Sequence, residues 1–485
     1  MADQQTKVSK EIFRSYDVRG TIGDQLTDEV LELIGKAYGT LLYRLDERSG
    51  GSGNPNKQVT VGRDVRTTSL NFAAALVRGI ASTGIDVTDV GIVPTPTLYF
   101  SVGYFKMDGG AVVTASHNPP QFNGLKMRKM IPGGTDGGMI NAPLSTEEIQ
   151  ELYQIIAGGN FRTGAGKVVE RDVLEAYIDY IVDTVKVHRP LRITLDTGNG
   201  ATGPTAVKLY EKMGVQVDGL FIEPDGRFPN HVPNPIKPEN MTALQERVRE
   251  TSSDMGIALD GDGDRLGVVD NKGEILWADE YLILLARQAL EEHPGATIIY
   301  DVKCGLGLIE DIAKHGGKGV MWKTGYTNIF AKRAETGAPL AGEYSGHIFF
   351  NDPLISFDDG LYGGARMLSF ISANEHDVRD QLSDVPKYYN TIEGRLEVDD
   401  KRKFQIIAEL SAYFKSKYEV IDLDGVRIVF PDGWALIRAS NTEPSLTTRF
   451  EGKTAAKLAE YQAIVFDKLK EYPEVREEGS SGHSH

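Results

Sequence analysis

Four short segments combine residue types whose spacing suits chemistry better than packing. DGDGDR, Asp260 to Arg265, sets carboxylates at every second position with glycines between them, directly after the apolar run MGIAL. Glycine lets such a loop curl so that the oxygens of Asp260, Asp262 and Asp264 converge, which is what a hard divalent cation requires, and Mg²⁺ is the natural candidate. An EF-hand is excluded, because Arg265 stands where that loop needs glycine and Asn271 where it needs its last glutamate. An acidic hairpin turn, with Asp and Gly serving turn geometry alone, is the competing reading.

TASHNPP, Thr114 to Pro120, puts Ser116 and His117 on a loop after an apolar run. Neighbouring side chains on an extended segment point to opposite sides, so a Ser116–His117 dyad is not expected. Ser116 can instead carry a phosphoryl group, since phosphoserine bears about −1.5 to −2 charges and three acceptor oxygens that can ligate a cation. GEYSGH, Gly342 to His347, spaces Glu343 and Ser345 at i and i+2, which aims two side chains to one side and suits a grip on vicinal hydroxyls. RASNTEP, Arg438 to Pro444, joins Arg438 to Ser440, Asn441 and Thr442, an arginine fork with hydroxyl and amide donors that fits a phosphate. Each of these three segments also has a plain reading, as a turn, a solvated glutamate or a surface strand arginine. RASNTEP itself is neither a Walker loop nor a dinucleotide fingerprint, since neither GxxxxGK[ST] nor GxGxxG opens a helix there.

Three of these loops sit at the same point of an internal repeat. QVTVGRDVRTTSLNFAAALVRGIASTGIDVTDVG (Gln58 to Gly91), LRITLDTGNGATGPTAVKLYEKMGVQVDGLF (Leu191 to Phe221) and ATIIYDVKCGLGLIEDIAKHGGKGVMWKTG (Ala296 to Gly325) share one plan. A β-branched run, a polar turn, an apolar-periodic helix, glycine and a second apolar run make a β-α-β crossover. Gly84, Gly214 and Gly316 fall where a left-handed helix cap is wanted. Each crossover is followed by two apolar runs around a polar loop: AVVTASHNPPQFNGLKM, IALDGDGDRLGVVD and PLAGEYSGHIFF. From about Pro386 the pattern changes to a strand (YNTIEGRLEV), a helix (KRKFQIIAELSAYFKSK), strands around VRIVFPDGWALIRA and LTTRFE, and a last helix ending near Lys470.

The expected fold is therefore α/β: three related α/β domains with mixed, mostly parallel sheets, and a smaller C-terminal α+β domain. The units are placed at 1–163, 164–272, 273–384 and 385–475, with a flexible tail over 476–485 whose two histidines read as a tail rather than as metal ligands. In sheets of this kind ligands bind at strand ends, where the four loops lie.

Composition narrows the partners. The chain has 485 residues, enough for about three domains of ordinary size. With 53 basic and 69 acidic side chains the net charge is −16, so DNA, RNA and anionic membrane surfaces are repelled and any anionic ligand must meet a local basic cluster. No apolar run is long enough to span a bilayer, and the start shows no secretory signal. The single cysteine, Cys304, cannot form an internal disulfide and fits a reducing compartment, with the cytoplasm as the expectation.

Taken together and in this order, the four loops resemble the α-D-phosphohexomutase superfamily, in particular its bacterial phosphomannomutase/phosphoglucomutase branch. Further segments carry the likeness: IFRSYDVRGTIGDQL (Ile12 to Leu26), FPNHVPNP (Phe228 to Pro235), DVKC (Asp301 to Cys304) and FDDG (Phe357 to Gly360). The resemblance implies a central cleft to which each domain gives one loop, and an enzyme that interconverts hexose 1-phosphate and hexose 6-phosphate of mannose and glucose through a 1,6-bisphosphate. It implies that Ser116 is the phosphoserine, with Mg²⁺ held by its phosphate and by Asp260, Asp262 and Asp264, and a hexose 1,6-bisphosphate as activator.

By the same resemblance Arg19, Lys126, Arg265, Lys303 and His347 supply positive charge, with Lys126 and His347 moving protons and His117 orienting the serine loop. Glu343 and Ser345 would grip the sugar; Arg438, Ser440, Asn441 and Thr442 would hold the distal phosphate, and Tyr16 would line the cleft. Where relatives carry histidine in a KTGHS-like stretch this chain has Tyr326, which bears on sugar preference. The implied partners are small sugar phosphates, with no nucleic acid and no membrane; oligomeric state stays open, and a monomer is compatible with the sequence. A phosphoglucosamine mutase, a Mg²⁺-dependent sugar phosphatase and a non-catalytic sugar-phosphate sensor are the alternatives. GEYSGH is closer to the GEMSGH type than to the GEQSGH type of the amino-sugar branch, no water-activating group is evident, and a sensor needs neither Ser116 nor three carboxylates.

Overall fold

The three sequence units fold to one strand order, as seen in a computed structural model that describes residues 8–50, 56–133, 138–440 and 443–477. In the first, Gln58–Arg63 lies between Asp86–Ile92 and Gly109–Val113, parallel to both, and Phe122–Pro132 closes the group antiparallel to Gly109–Val113. In the second, Arg192–Asp196 lies between Gln216–Leu220 and Met255–Leu259, with Leu266–Asp270 antiparallel. The third repeats this with Thr297–Asp301 between Lys318–Trp322 and Leu340–Gly342, and Ile348–Phe350 antiparallel. The expected mixed sheets are present, with parallel pairing among the crossover strands, whereas the closing strand of each unit and the strands added beside it pair antiparallel.

Sequence pattern accounts for this. Strands covered by helices on both faces read as near-continuous apolar runs, and the central ones here are buried along most of their length. The crossover helix Ser69–Ala81 buries Phe72, Ala73, Leu76, Val77 and Ile80 at helical spacing, each large side chain contributing roughly 1.5–3 kcal/mol. Gly84, Gly214 and Gly316 all have positive φ just past their helices. The polar segments join the third and fourth strands of each unit, so 114–121, 260–265 and 343–347 are equivalent hairpin connections. The added strand Val18–Thr21 pairs with the end of Phe122–Pro132, with Arg19 opposite Gly124, and so carries Arg19 to the serine loop.

The fourth unit is antiparallel: Gly433–Ala439 lies between Val426–Phe430 and Ser445–Gly452, with helices Lys403–Lys415 and Ala455–Leu469 packed on one face. On the other face Trp434 and Leu436 meet Val302 of the third unit. The single strand expected over 389–398 is broken into Tyr389–Asn390 and Gly394–Glu397. Glu393 leaves the ladder at that break to reach Lys303, 3.0 Å away. Arg476–Glu477 pairs with Gly394–Glu397; the rest of the expected tail lies outside the described residues.

Candidate active site

The serine loop departs from extended backbone at the residue that matters. Ser116 has φ of +51°, a left-handed conformation, and its amide donates to Thr114 Oγ1 at 2.9 Å. This turn brings Ser116 Oγ to 2.9 Å from His117 Nδ1 and to 2.7 Å from Asp260 Oδ2. The expectation that adjacent Ser and His side chains diverge is thus corrected, because it holds only for extended backbone. Burial pushes the His117 pKa well below the ordinary histidine value, and Arg265 and Arg19 push it further, so the ring is neutral. Glycine at 261 permits the approach of the two loops: a Cβ there would lie 2.5 Å from the Ser116 carbonyl oxygen.

Asp260, Asp262 and Asp264 are all buried, with one carboxylate oxygen from each inside a group 4.8 Å across. Asp260 Oδ1 accepts the amides of Gly263 and Arg265 at 2.9 and 3.1 Å, which fixes the loop. Asp262 Oδ2 accepts from Thr95 Oγ1 and from Lys126 Nζ, each at 2.7 Å, and Lys126 also bonds Asp264. Asp262 Oδ1 and Asp264 Oδ1 are buried and find no hydrogen-bond partner among the described residues. Leaving such oxygens unsatisfied costs about 1–3 kcal/mol or more each, and all-oxygen donors of this kind suit a hard divalent cation. The residues present therefore fit a metal.

The same cluster sets the charges around it. Burial, followed by Asp264 and Asp262, pushes the Asp260 pKa well above the usual carboxylate range. Burial works against the Lys126 ammonium, but Asp262 and Asp264 outweigh it and hold that proton well beyond an ordinary lysine's. His347 Nδ1 lies 2.9 Å from Glu343 Oε2 and 3.1 Å from Ser345 Oγ, and its Nε2 is 3.5 Å from Asp264 Oδ1. Burial and Arg265 lower its pKa, yet Asp264 and Glu343 overcome them and raise it to about 9. The Leu266 amide donates to the Gly346 carbonyl at 3.0 Å, so the metal-type loop and the GEYSGH loop are joined through backbone.

These groups open into one cleft with a cavity volume of about 670 Å³, lined from all four units. Tyr16, Arg19, Ser116, His117, Lys126, Arg265, Lys303, Tyr326, Glu343, Ser345, His347, Arg438 and Ser440 all line it. The three aspartates lie behind the Ser116 and Lys126 side chains that they bond. Asn441 and Thr442 lie outside the described residues. Arg19 donates to Asn118 Oδ1 at 2.7 Å and to Asp17 at 2.5 Å. Glu343 Oε1 accepts the Gly325 amide at 2.5 Å, so both oxygens of this carboxylate are already oriented. Tyr326 spends its hydroxyl on the Tyr16 carbonyl at 2.8 Å, which leaves its ring rather than its OH to face a ligand. Arg438 Nε is held by Asp424 Oδ2 at 3.0 Å, and Lys403 Nζ supports the loop from below through the Ser440 and Glu443 carbonyls at 2.5 and 2.9 Å.

Sequence reasoning missed several of these parts. Arg66 is buried and bonds three carbonyls of the serine loop and that of Phe122 just after it, yet it lies in no motif. Arg395, Glu393, Lys237 and Asn240, unlike Arg66, line the cleft. Asn234 lines it too, and the FPNHVPNP segment, read only as carrying the family likeness, is the nearest sequence signal for Asn234, Lys237 and Asn240.

Comparison with known proteins agrees with this four-unit fold. Family models match in chain order: phosphoglucomutase/phosphomannomutase alpha/beta/alpha domain I over residues 10–160, domain II over 175–273, domain III over 277–389 and the C-terminal domain over 393–468. The chain is 41% identical over 460 residues to a phosphomannomutase/phosphoglucomutase of Pseudomonas aeruginosa, covering 95% of each. It is 40% identical to a phosphoglucomutase of Neisseria gonorrhoeae over 460 residues, 94% of this chain and 96% of that one. A crystal structure of a phosphoglucomutase/phosphomannomutase family protein from Burkholderia thailandensis superposes with a TM-score of 0.86 at 40% identity, covering 96% of this chain and 98% of that chain.

Proposed function

The chain belongs to the phosphoglucomutase/phosphomannomutase family of the α-D-phosphohexomutases, and from that premise we propose that it interconverts the 1- and 6-phosphates of mannose and glucose with Ser116 as phosphoryl carrier. The observation that carries this reading is Ser116 Oγ on Asp260 Oδ2, at the mouth of a carboxylate cluster that fits a metal and in the same cleft as Glu343 and Arg438.

In the forward half-reaction the free hydroxyl of a hexose 1-phosphate attacks phosphorus on phospho-Ser116. The Ser116 Oγ–P bond breaks, a sugar O–P bond forms, and the hydroxyl proton leaves to a base. The 1,6-bisphosphate so formed turns in the cleft and returns its other phosphate to Ser116 Oγ. Such transfer needs in-line positioning and charge neutralisation more than covalent assistance. Arg19, Arg265 and Lys303 supply cationic charge within an acidic protein. His117 Nδ1, 2.9 Å from Oγ, is placed to take the serine proton and to return it, while Asp260 Oδ2 faces the same oxygen as a would-be metal ligand. His347, which lines the cleft with Nδ1 on Glu343, acts as the acid once its Nε2, the acceptor of Arg265 Nε at 3.2 Å, is protonated. Lys126 acts as the base only after leaving Asp262 and Asp264, where it is an ammonium.

Glu343 and Ser345 would take the sugar's O3 and O4, alike in glucose and mannose, so indifference at O2 admits both. Arg438 and Ser440, with Asn441 and Thr442, would anchor the phosphate that does not react. Mg²⁺, held by Asp260, Asp262 and Asp264 with the serine phosphate, would neutralise charge on the phosphoryl group. Hexose 1,6-bisphosphate would serve as activator by recharging Ser116. Among the described residues no helix is long and apolar enough to cross a membrane; a single cysteine, Cys304, is what supports a cytoplasmic location.

A coupled assay with mannose 1-phosphate, glucose 1-phosphate and glucosamine 1-phosphate tests the reading. Turnover of the first two, lost in Ser116→Ala, supports it. Turnover of the amino sugar alone overturns the sugar assignment.

A further inference from the structure

The serine loop, residues 114–121, contains no regular structure, so its carbonyls have no ladder to satisfy them. Ala115 and Gln121 accept backbone amides, and three others, with that of Phe122 at the start of the next strand, are gathered by one side chain. Arg66 NH2 donates to the carbonyls of Ser116 at 2.8 Å and Asn118 at 2.6 Å, and NH1 to those of Pro119 at 2.9 Å and Phe122 at 3.0 Å. Its Nε donates to Asp64 Oδ2 at 3.1 Å, so all five N–H donors of the guanidinium are used. Asp64 is fixed in turn by the Arg66 amide at 3.0 Å and by the Ser69 hydroxyl.

The second unit packs on the same residue. The Phe228 ring centre lies 5.0 Å from the Arg66 guanidinium carbon, and a Cβ on Gly226 would lie 2.5 Å from Arg66 Cα. Arg66 itself is buried and does not line the cleft.

We propose that Arg66 is a positioning residue for phosphoryl transfer: it gathers the carbonyls of the serine loop and locks Ser116 Oγ in line between Asp260 and the cleft. The inference rests on Ser116 being the phosphoryl carrier. Lysine at position 66 offers three donors without the planar fork, so it cannot hold all four carbonyls at once. Misplacing a reacting oxygen by about 1 Å costs on the order of 10²-fold in rate. Arg66 touches none of the residues that would hold sugar or distal phosphate, so binding should be spared.

The test is steady-state kinetics on the full chain carrying Arg66→Lys, with ³¹P NMR of the phosphorylated protein. The expected result is a kcat lower by about 10²-fold, a KM within about 3-fold of wild type, and a shifted or broadened phosphoserine resonance. A folded Arg66→Lys protein with wild-type kcat overturns the inference, and so does a loss of kcat matched by an equal rise in KM. If Arg66→Lys does not fold, Asp64→Asn decides, with lower kcat at unchanged KM supporting and unchanged kcat overturning. Ser116→Ala separates the two claims. If it keeps wild-type turnover, the carrier assignment fails and this inference with it; if it is inactive while Arg66→Lys is not slowed, only the role of Arg66 fails.

Discussion

Lys126 Nζ lies 2.7 Å from Asp262 Oδ2, inside the carboxylate group that fits a metal. The ammonium thus compensates charge that a divalent cation would otherwise compensate. Lys126→Met should destabilise the protein in EDTA by about 3 kcal/mol or more, the cost of leaving a buried charge unpaired. Added Mg²⁺ should recover more melting temperature in the variant than in wild type. Differential scanning calorimetry with and without Mg²⁺ measures both.

Glu343 bonds the Gly325 amide with one oxygen and His347 with the other. Glu343→Gln keeps the shape but removes the charge that orients and charges His347. We expect kcat/KM to fall by about 10²-fold, equivalent to about 2.7 kcal/mol of transition-state stabilisation. Glu343→Asp, which shortens the reach to Gly325, should lose a comparable amount.

Tyr326 uses its hydroxyl on the Tyr16 backbone. Tyr326→Phe should therefore cost about 0.5–1.5 kcal/mol of stability, the net worth of one hydrogen bond, while leaving the ratio of mannose to glucose turnover unchanged. Denaturant unfolding and the two-sugar assay read these independently.

His231 Nε2 lies 3.0 Å from Asp196 Oδ2, between the FPNHVPNP segment and the end of a central strand. Burial lowers its pKa, but the hydrogen bond and charge of Asp196 raise it above the ordinary value of 6.5. A histidine whose folded pKa is raised stabilises fully below the unfolded value and loses that contribution as pH rises through the folded value. The stability difference between wild type and Asp196→Asn should accordingly be largest below about pH 6.5 and shrink at higher pH, as urea unfolding across pH would show.

Much of this architecture is written in residue order. The crossover units were legible because buried parallel strands and capped helices impose distinct apolar periods, and the hairpin loops were legible because carboxylates and glycines alternate where no core is needed. Arg66 was not, since its partners are backbone carbonyls at 116 to 122, which carry no side-chain signature. The Ser116–His117 contact was hidden because a left-handed serine is set by tertiary packing and not by residue type. The pairing of Glu393 with Lys303, 90 positions apart, joins two sheets that local pattern treats separately.

The central claim is that Ser116 carries the phosphoryl group, and intact-protein mass spectrometry with peptide mapping tests it most directly. Protein treated with glucose 1,6-bisphosphate and Mg²⁺ should gain one phosphoryl group at Ser116, and a chase with excess glucose 1-phosphate or mannose 1-phosphate should remove it with formation of bisphosphate. A protein that isomerises hexose phosphates while Ser116 is never phosphorylated, or whose phosphoserine survives the chase, would contradict the account.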